Sequence, residues 1–251
     1  MRTPIIDVRA GWRNSIIFTW EHLREYYDIT HNHECATHIH ISLVPQYDLE
    51  ELKRVAMSVI YFETAFEALV PETRRGNVWA QSNWLESPSF AQRNRSRWES
   101  ITEIERVIDA SEFLQLMQNF GDPRYAWNFW NLTTANKTIE FRKPPGSVTA
   151  DEALSWAELA LNFIQVSIRL GSSRLLRSYS ANIKGLRLFL RQVNEPGVNE
   201  PDRLDRLWAG EPPNAAVPPI YSPTRKGKTK DKIKPKIAAD MKRIRSHPDF
   251  K

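Results

Sequence analysis

Glu34-Cys35-Ala36-Thr37-His38-Ile39-His40-Ile41-Ser42 is the stretch on which the reading of this chain turns. Successive side chains of a strand point to opposite faces. Read as a strand, it sets Thr37, Ile39 and Ile41 on a face fit for a core and His38, His40 and Ser42 on the other. That second face offers two imidazoles and a hydroxyl within reach of one metal ion or one phosphate. A half-buried strand whose polar face meets water has the same pattern, so the His-x-His takes its meaning from the rest of the chain.

The 251 residues suffice for one large domain with a substantial core, and nine Trp favour a packed body. One cysteine, Cys35, excludes an internal disulfide and fits a reducing compartment. No apolar run approaches the ~18–20 residues that span a bilayer, and the first residues lack the apolar core of a signal peptide. The expected location is therefore cytoplasmic, with the nucleus a lesser option because of the tail. The net charge of +5 is unevenly spread. Residues 222–251 hold 11 Lys and Arg against 3 Asp and Glu, a net of +8, whereas the rest holds 24 against 27, a net of −3. A mildly acidic body is a poor nucleic-acid-binding domain, and contact through the tail alone would be nonspecific and salt-dependent.

Apolar residues at steps of three or four predict a helix over 11–27, through Trp12, Ile16, Trp20, Leu23 and Tyr27. Asp48 with Glu51 forms a capping box opening a second helix over 49–69, ended by Pro71. Residues 71–98 read as an ordered loop lying over the body. Ser100-x-x-Glu103 predicts a short helix to about 108, and Ser111 starts another through 118. Residues 125–132 and 137–142 read as two antiparallel strands, with Ile139 and Phe141 facing one way and Thr138, Glu140 and Arg142 the other. Thr149 with Glu152 caps a long helix over 150–170, stopped by Gly171, and a last helix covers 181–193. This defines a body of 1–193, followed over 194–251 by a Pro-rich and then Lys-rich disordered tail.

Three polar clusters fall on neighbouring elements: His38, His40 and Ser42; Glu140 and Arg142; and Arg74-Arg75-Gly76-Asn77. Imidazole and carboxylate suit Mg2+ or Mn2+ where phosphate completes the shell. Arginine pairs can neutralise charge in phosphoryl transfer. Taken singly, each has a plain structural reading. Glu140 with Arg142 is also a surface ion pair, and Arg74 and Arg75 are also partners for a helix C-terminus.

In this order the clusters resemble a family. Cys35-x-Thr37-His38-Ile39-His40-Ile41-Ser42 looks like the CGTHVHVS-type strand of the amidoligases of fungi and bacteria, relatives of glutamine synthetase and glutamate–cysteine ligase. Phe66-Glu67-Ala68-Leu69-Val70-Pro71-x-x-Arg74-Arg75-x-Asn77 and Trp127-Asn128-Phe129 followed by Thr138-Ile139-Glu140-Phe141-Arg142-Lys143-Pro144-Pro145-Gly146-Ser147 are similar to two further motifs of that family. The resemblance covers roughly residues 3–170.

It implies an α+β, glutamine-synthetase-like fold: a curved antiparallel sheet flanked by helices. It also implies an ATP-dependent ligase that phosphorylates a carboxylate to an acyl phosphate, which an amine then attacks. The partners are then a small-molecule or peptide carboxylate and an amine, with no membrane, and an oligomer is allowed. On the analogy Arg74, Arg75 and Arg142 are catalytic, holding the transferring phosphate or the carboxylate. His38, His40, Ser42 and Asn128 line the nucleotide and substrate site, and Glu140 with His38 holds Mg2+ or Mn2+, Glu67 being a possible extra ligand. Such ligases carry a Glu-x-Glu strand upstream. Thr3-Pro4-Ile5-Ile6 looks like the Ser-Pro step just after that strand, so the chain is expected to start partway through the motif. The alternative is an inactive nucleotide- or metal-binding relative of the same fold. A third reading, from a different class, is a metal- or nucleic-acid-binding protein using His31, His33, His38 and His40 with the basic tail.

Overall fold

A computed structural model describes residues 3–91, 93–118, 122–193 and 201–219. The helices are α1 (Trp12–Tyr26), α2 (Leu49–Leu69), α3 (Pro88–Ala91), α4 (Arg97–Arg106), α5 (Ala110–Gln118), α6 (Ala150–Leu170), α7 (Ser173–Leu176), α8 (Ile183–Leu190) and α9 (Pro201–Trp208). Three short strands, β1 (Ile39–Ile41), β2 (Trp127–Asn128) and β3 (Ile139–Phe141), form an antiparallel sheet in the order β1-β3-β2. The fold is therefore α+β. Among the described residues no helix is long and apolar enough to cross a membrane.

Helix α2 is the axle. The Glu51 amide donates to Asp48 Oδ1 at 2.8 Å while the Asp48 amide donates to Glu51 Oε2 at 2.9 Å, the reciprocal box expected from sequence. Seventeen of its 21 residues are buried, because α4, α6 and α8 pack around it. On its sheet side Phe66 meets Trp127, Phe141 and Phe163 of α6, and Trp127 stacks on Phe141 with ring centroids 4.3 Å apart. This aromatic group binds the sheet to the two long helices, each ring pair adding roughly 0.5–1.5 kcal/mol beyond its buried area.

Close backbone approach explains two glycines. Gly171 ends α6 at φ −75°, not in the left-handed conformation usual for a C-terminal stop. A Cβ there would lie 2.4 Å from the Arg54 carbonyl oxygen, so glycine is what lets α6 end against α2. Gly146 is needed for the same reason: its Cβ would lie 2.7 Å from Cys35 Cβ. Here Thr37 N–H donates to Pro145 O and Gly146 N–H to Cys35 O, prolonging the β1–β3 pairing.

Three expectations need correction. Helix α4 starts at Arg97, not beyond Ser100, because Ser96 and Glu99 form the capping box. Ser100 is buried one turn inside, its hydroxyl turned back on Ser96 O at 3.0 Å. The strand expected over 125–132 is cut to two residues. The Trp130 amide donates to Asn128 Oδ1 at 2.8 Å, and the chain turns there into a 3-10 helix, Trp130–Thr133. Residues 201–219, read as tail, belong to the body. Leu204 and Trp208, one helical turn apart on α9, are buried, and Arg203 and Arg206 pair with Asp151 on α6. Val217 N–H then reaches Thr64 O on α2 at 2.9 Å. The Lys-rich run after Thr224 lies outside the described residues.

Candidate active site

Strand pairing places His40 opposite Glu140 on one side and Asn128 opposite it on the other. Alternation does the rest: Ile139 and Phe141 are fully buried in the core, while Thr138, Glu140 and Arg142 take the other face of β3. The three residue types so gathered are a carboxylate, two imidazoles and a guanidinium.

Glu140 is the hub. Its Oε1 accepts from Arg142 Nη1 at 2.7 Å and lies 3.1 Å from His38 Nδ1 and 3.4 Å from His40 Nε2. Its Oε2 accepts from Asn128 Nδ2 at 2.7 Å and Asn131 Nδ2 at 2.9 Å. The carboxylate is only 5% exposed, against 35% for His38 and 46% for His40. The acid thus lies at the floor and the imidazoles at the rim. Burial opposes the charge of Glu140, but the hydrogen bonds from His38 and His40, the Arg142 guanidinium and the Asn128 amide outweigh it. Together they hold its carboxyl far below the usual carboxylate range.

The supporting bonds are equally specific. His40 Nδ1 lies 3.2 Å from Thr138 Oγ1, which orients the ring. Arg142 Nε donates to Trp79 O at 3.1 Å, so the loop before α3 fixes the guanidinium. Buried Gln118 donates to Asn128 Oδ1 at 3.0 Å and accepts from the Phe129 amide at 2.9 Å. Asn83, in the loop over 71–98, clamps both the N–H and C=O of Trp127. That segment, read as one loop, carries a 3-10 turn at Glu72–Arg74 and helix α3, and Asn83 sets it over β2.

Other expected site residues lie elsewhere. Arg74 is buried, and its Nη2 donates to the carbonyls of Arg142 at 3.2 Å and Lys143 at 3.5 Å. It braces the end of β3 from the main chain. Arg75 donates to the carbonyls of Glu67 and Ala68 at the C-terminal end of α2, the dipole-partner geometry. Ser42 is exposed, one residue past β1. Glu67 is buried on the Phe141 side of β3, where it pairs with Lys143 rather than joining Glu140. Asn131 and Gln118 were not anticipated, and Thr138, though expected on the Glu140 face, was not counted in the site. Thr138 is two residues before Glu140 and readable by alternation, whereas Asn131 reaches Glu140 only because of the 3-10 turn.

Among the described residues no group of three or more His, Cys, Asp or Glu is placed to hold a metal ion. Glu140 is, among the described residues, the one carboxylate joined to the two imidazoles, and its Oε1 already faces both of them and a guanidinium. Mg2+ and Mn2+ prefer several oxygen ligands and would meet the positive Arg142 at the same oxygen. The side chains present do not fit the metal expected at Glu140 and His38, nor do His31 and His33 complete a site.

A family model described as "Putative amidoligase enzyme" matches residues 1–164. The chain belongs to this amidoligase family. The amidoligase match takes in the whole sheet and most of α6, so the Glu140 centre lies inside it. No curated protein and no solved structure matches the chain.

Proposed function

We propose that this amidoligase-family chain is an ATP-dependent carboxylate–amine ligase, related in fold to glutamine synthetase and glutamate–cysteine ligase. In the proposed reaction a substrate carboxylate oxygen attacks the γ-phosphorus of ATP and ADP leaves. The amine then attacks the acyl carbon, a C–N bond forms, and inorganic phosphate departs. Arg142 and the rim imidazole of His38 receive the phosphate oxygens, as preorganised donors aimed at developing negative charge, while His40, whose two ring nitrogens meet Thr138 and Glu140, walls the site beside them. Glu140 holds those three side chains in register, and Arg74 keeps the end of β3 in place beneath them.

One observation carries this reading: His38, His40 and Arg142 converge on a single buried carboxylate while the imidazoles stay open to solvent. A second reading, a relative that binds nucleotide without turning it over, is favoured by Glu140 having both oxygens engaged. Incubation with ATP, Mg2+, pooled amino acids and hydroxylamine separates the two. The ligase gives ADP together with hydroxamate, and Arg142→Ala lowers the rate at least 100-fold. Calorimetric ATP binding without ADP release would establish the second reading, and no ATP binding would sink both.

A further inference from the structure

Behind the sheet, on the Phe141 side of β3, lies a cavity of ≈ 10 Å³ among Glu63, Glu67, Trp127, Phe141 and Lys143. Two of these residues carry a buried polar atom with no protein partner: Glu67 Oε2 and Trp127 Nε1. Glu67 is 3% exposed and Trp127 2%. The first atom can only accept a hydrogen bond and the second can only donate one. Leaving such groups unmet is strongly unfavourable.

The chemistry of the lining selects the occupant. A monovalent cation would suit Glu63 and Glu67 but would face the Lys143 ammonium and the indole N–H. An anion would meet two glutamates. A neutral molecule that both donates and accepts suits the polar groups set among the apolar walls of Val59, Phe66, Ala126 and Phe141, and the volume is about one water, which in buried sites makes two to four hydrogen bonds. We propose that this cavity is a binding site for a single water that accepts from Trp127 Nε1–H and donates to Glu67 Oε2.

The site has a structural consequence. Lys143 already ties the end of β3 to α2 through Glu67. The water ties β2 to the same carboxylate, since Trp127 precedes Asn128. The two strands bearing Asn128, Glu140 and Arg142 are thereby anchored to one residue of α2, whatever reaction the other face performs.

A high-resolution crystal structure of the full chain, with and without a rubidium soak, tests this. The expected result is one spherical density peak within about 2.7–3.2 Å of both atoms and no anomalous rubidium signal there. An empty cavity, a rubidium peak or a direct Trp127–Glu67 bond would overturn it. In solution, the Trp127 indole proton should show cross-relaxation from a long-lived water. Its resonance is assigned by its loss in Trp127→Phe or, should that variant not fold, by triple-resonance spectra of the wild type. Absence of the cross-peak counts against the site.

Discussion

Asn128 stands directly across from Glu140 and donates its side-chain amide to Glu140 Oε2 at 2.7 Å. The other end of that amide is held by Gln118 and by the Trp130 main chain, so its orientation is determined on both sides. Asn128→Ala should cost about 1–3 kcal/mol by leaving buried polar groups unpaired. Asn128→Asp should cost more than Asn128→Ala, because it sets a second carboxylate against Glu140. Urea denaturation of the three proteins gives the order, and an aspartate variant as stable as wild type would contradict the geometry.

The pair between Lys143 and Glu67 is buried on both sides, at 2% and 4% side-chain exposure. Removing one member strands the other's charge, which typically costs about 3–5 kcal/mol. Lys143→Met alone should therefore destabilise strongly, and adding Glu67→Leu should recover much of the loss. If the two effects simply add in chemical denaturation, the ion pair is not what couples α2 to β3.

Glu63 gives a pH signature. Burial pushes its carboxyl from the ordinary 4.5 up to about 7, and the Glu67 charge one turn along α2 adds to this, against the hydrogen bonds from Ser82 and Asn83. Between those values the native state keeps a proton that the unfolded chain has released. This contribution to stability is full below about pH 4.5 and lost as pH rises through about 7, on the order of 3 kcal/mol in total. Glu63→Gln should flatten that part of the stability profile, seen by comparing urea midpoints of both proteins from pH 5 to pH 8.

Helix α9 should be needed by the body it packs on. Trp208 is 6% exposed and Leu204 7%. Trp208→Ala should cost about 3–5 kcal/mol, the usual range for emptying a large core site. Thermal unfolding should then show one transition at lower temperature. An unchanged midpoint would return residues 201–219 to the status of a tail.

The long helices and the face of each strand were legible in the sequence. Asp48 and Glu51 cap α2 as read, and Thr149 accepts from the Glu152 amide at the start of α6. The opposed faces of Ile139 and Phe141 against Glu140 and Arg142 follow from a two-residue period that packing does not change. Composition misled where local chemistry was outvoted. The Pro and Asn content after residue 194 concealed the short amphipathic helix α9, and β propensity over 125–132 concealed the Asn128 side chain that ends the strand.

By itself the sequence determined which residues face together along each element, because capping and periodicity act over three or four positions. It set His38 beside His40 and Glu140 beside Arg142. Only the tertiary structure decided which of the expected groups meet. Pairing β1 and β2 on either side of β3 made Glu140 the shared acceptor of His38, His40, Arg142, Asn128 and Asn131. The same packing turned Arg74 and Arg75 onto main-chain carbonyls. Two arginines adjacent in sequence cannot announce which acceptors lie within reach, since those acceptors come from chain segments up to 69 positions away.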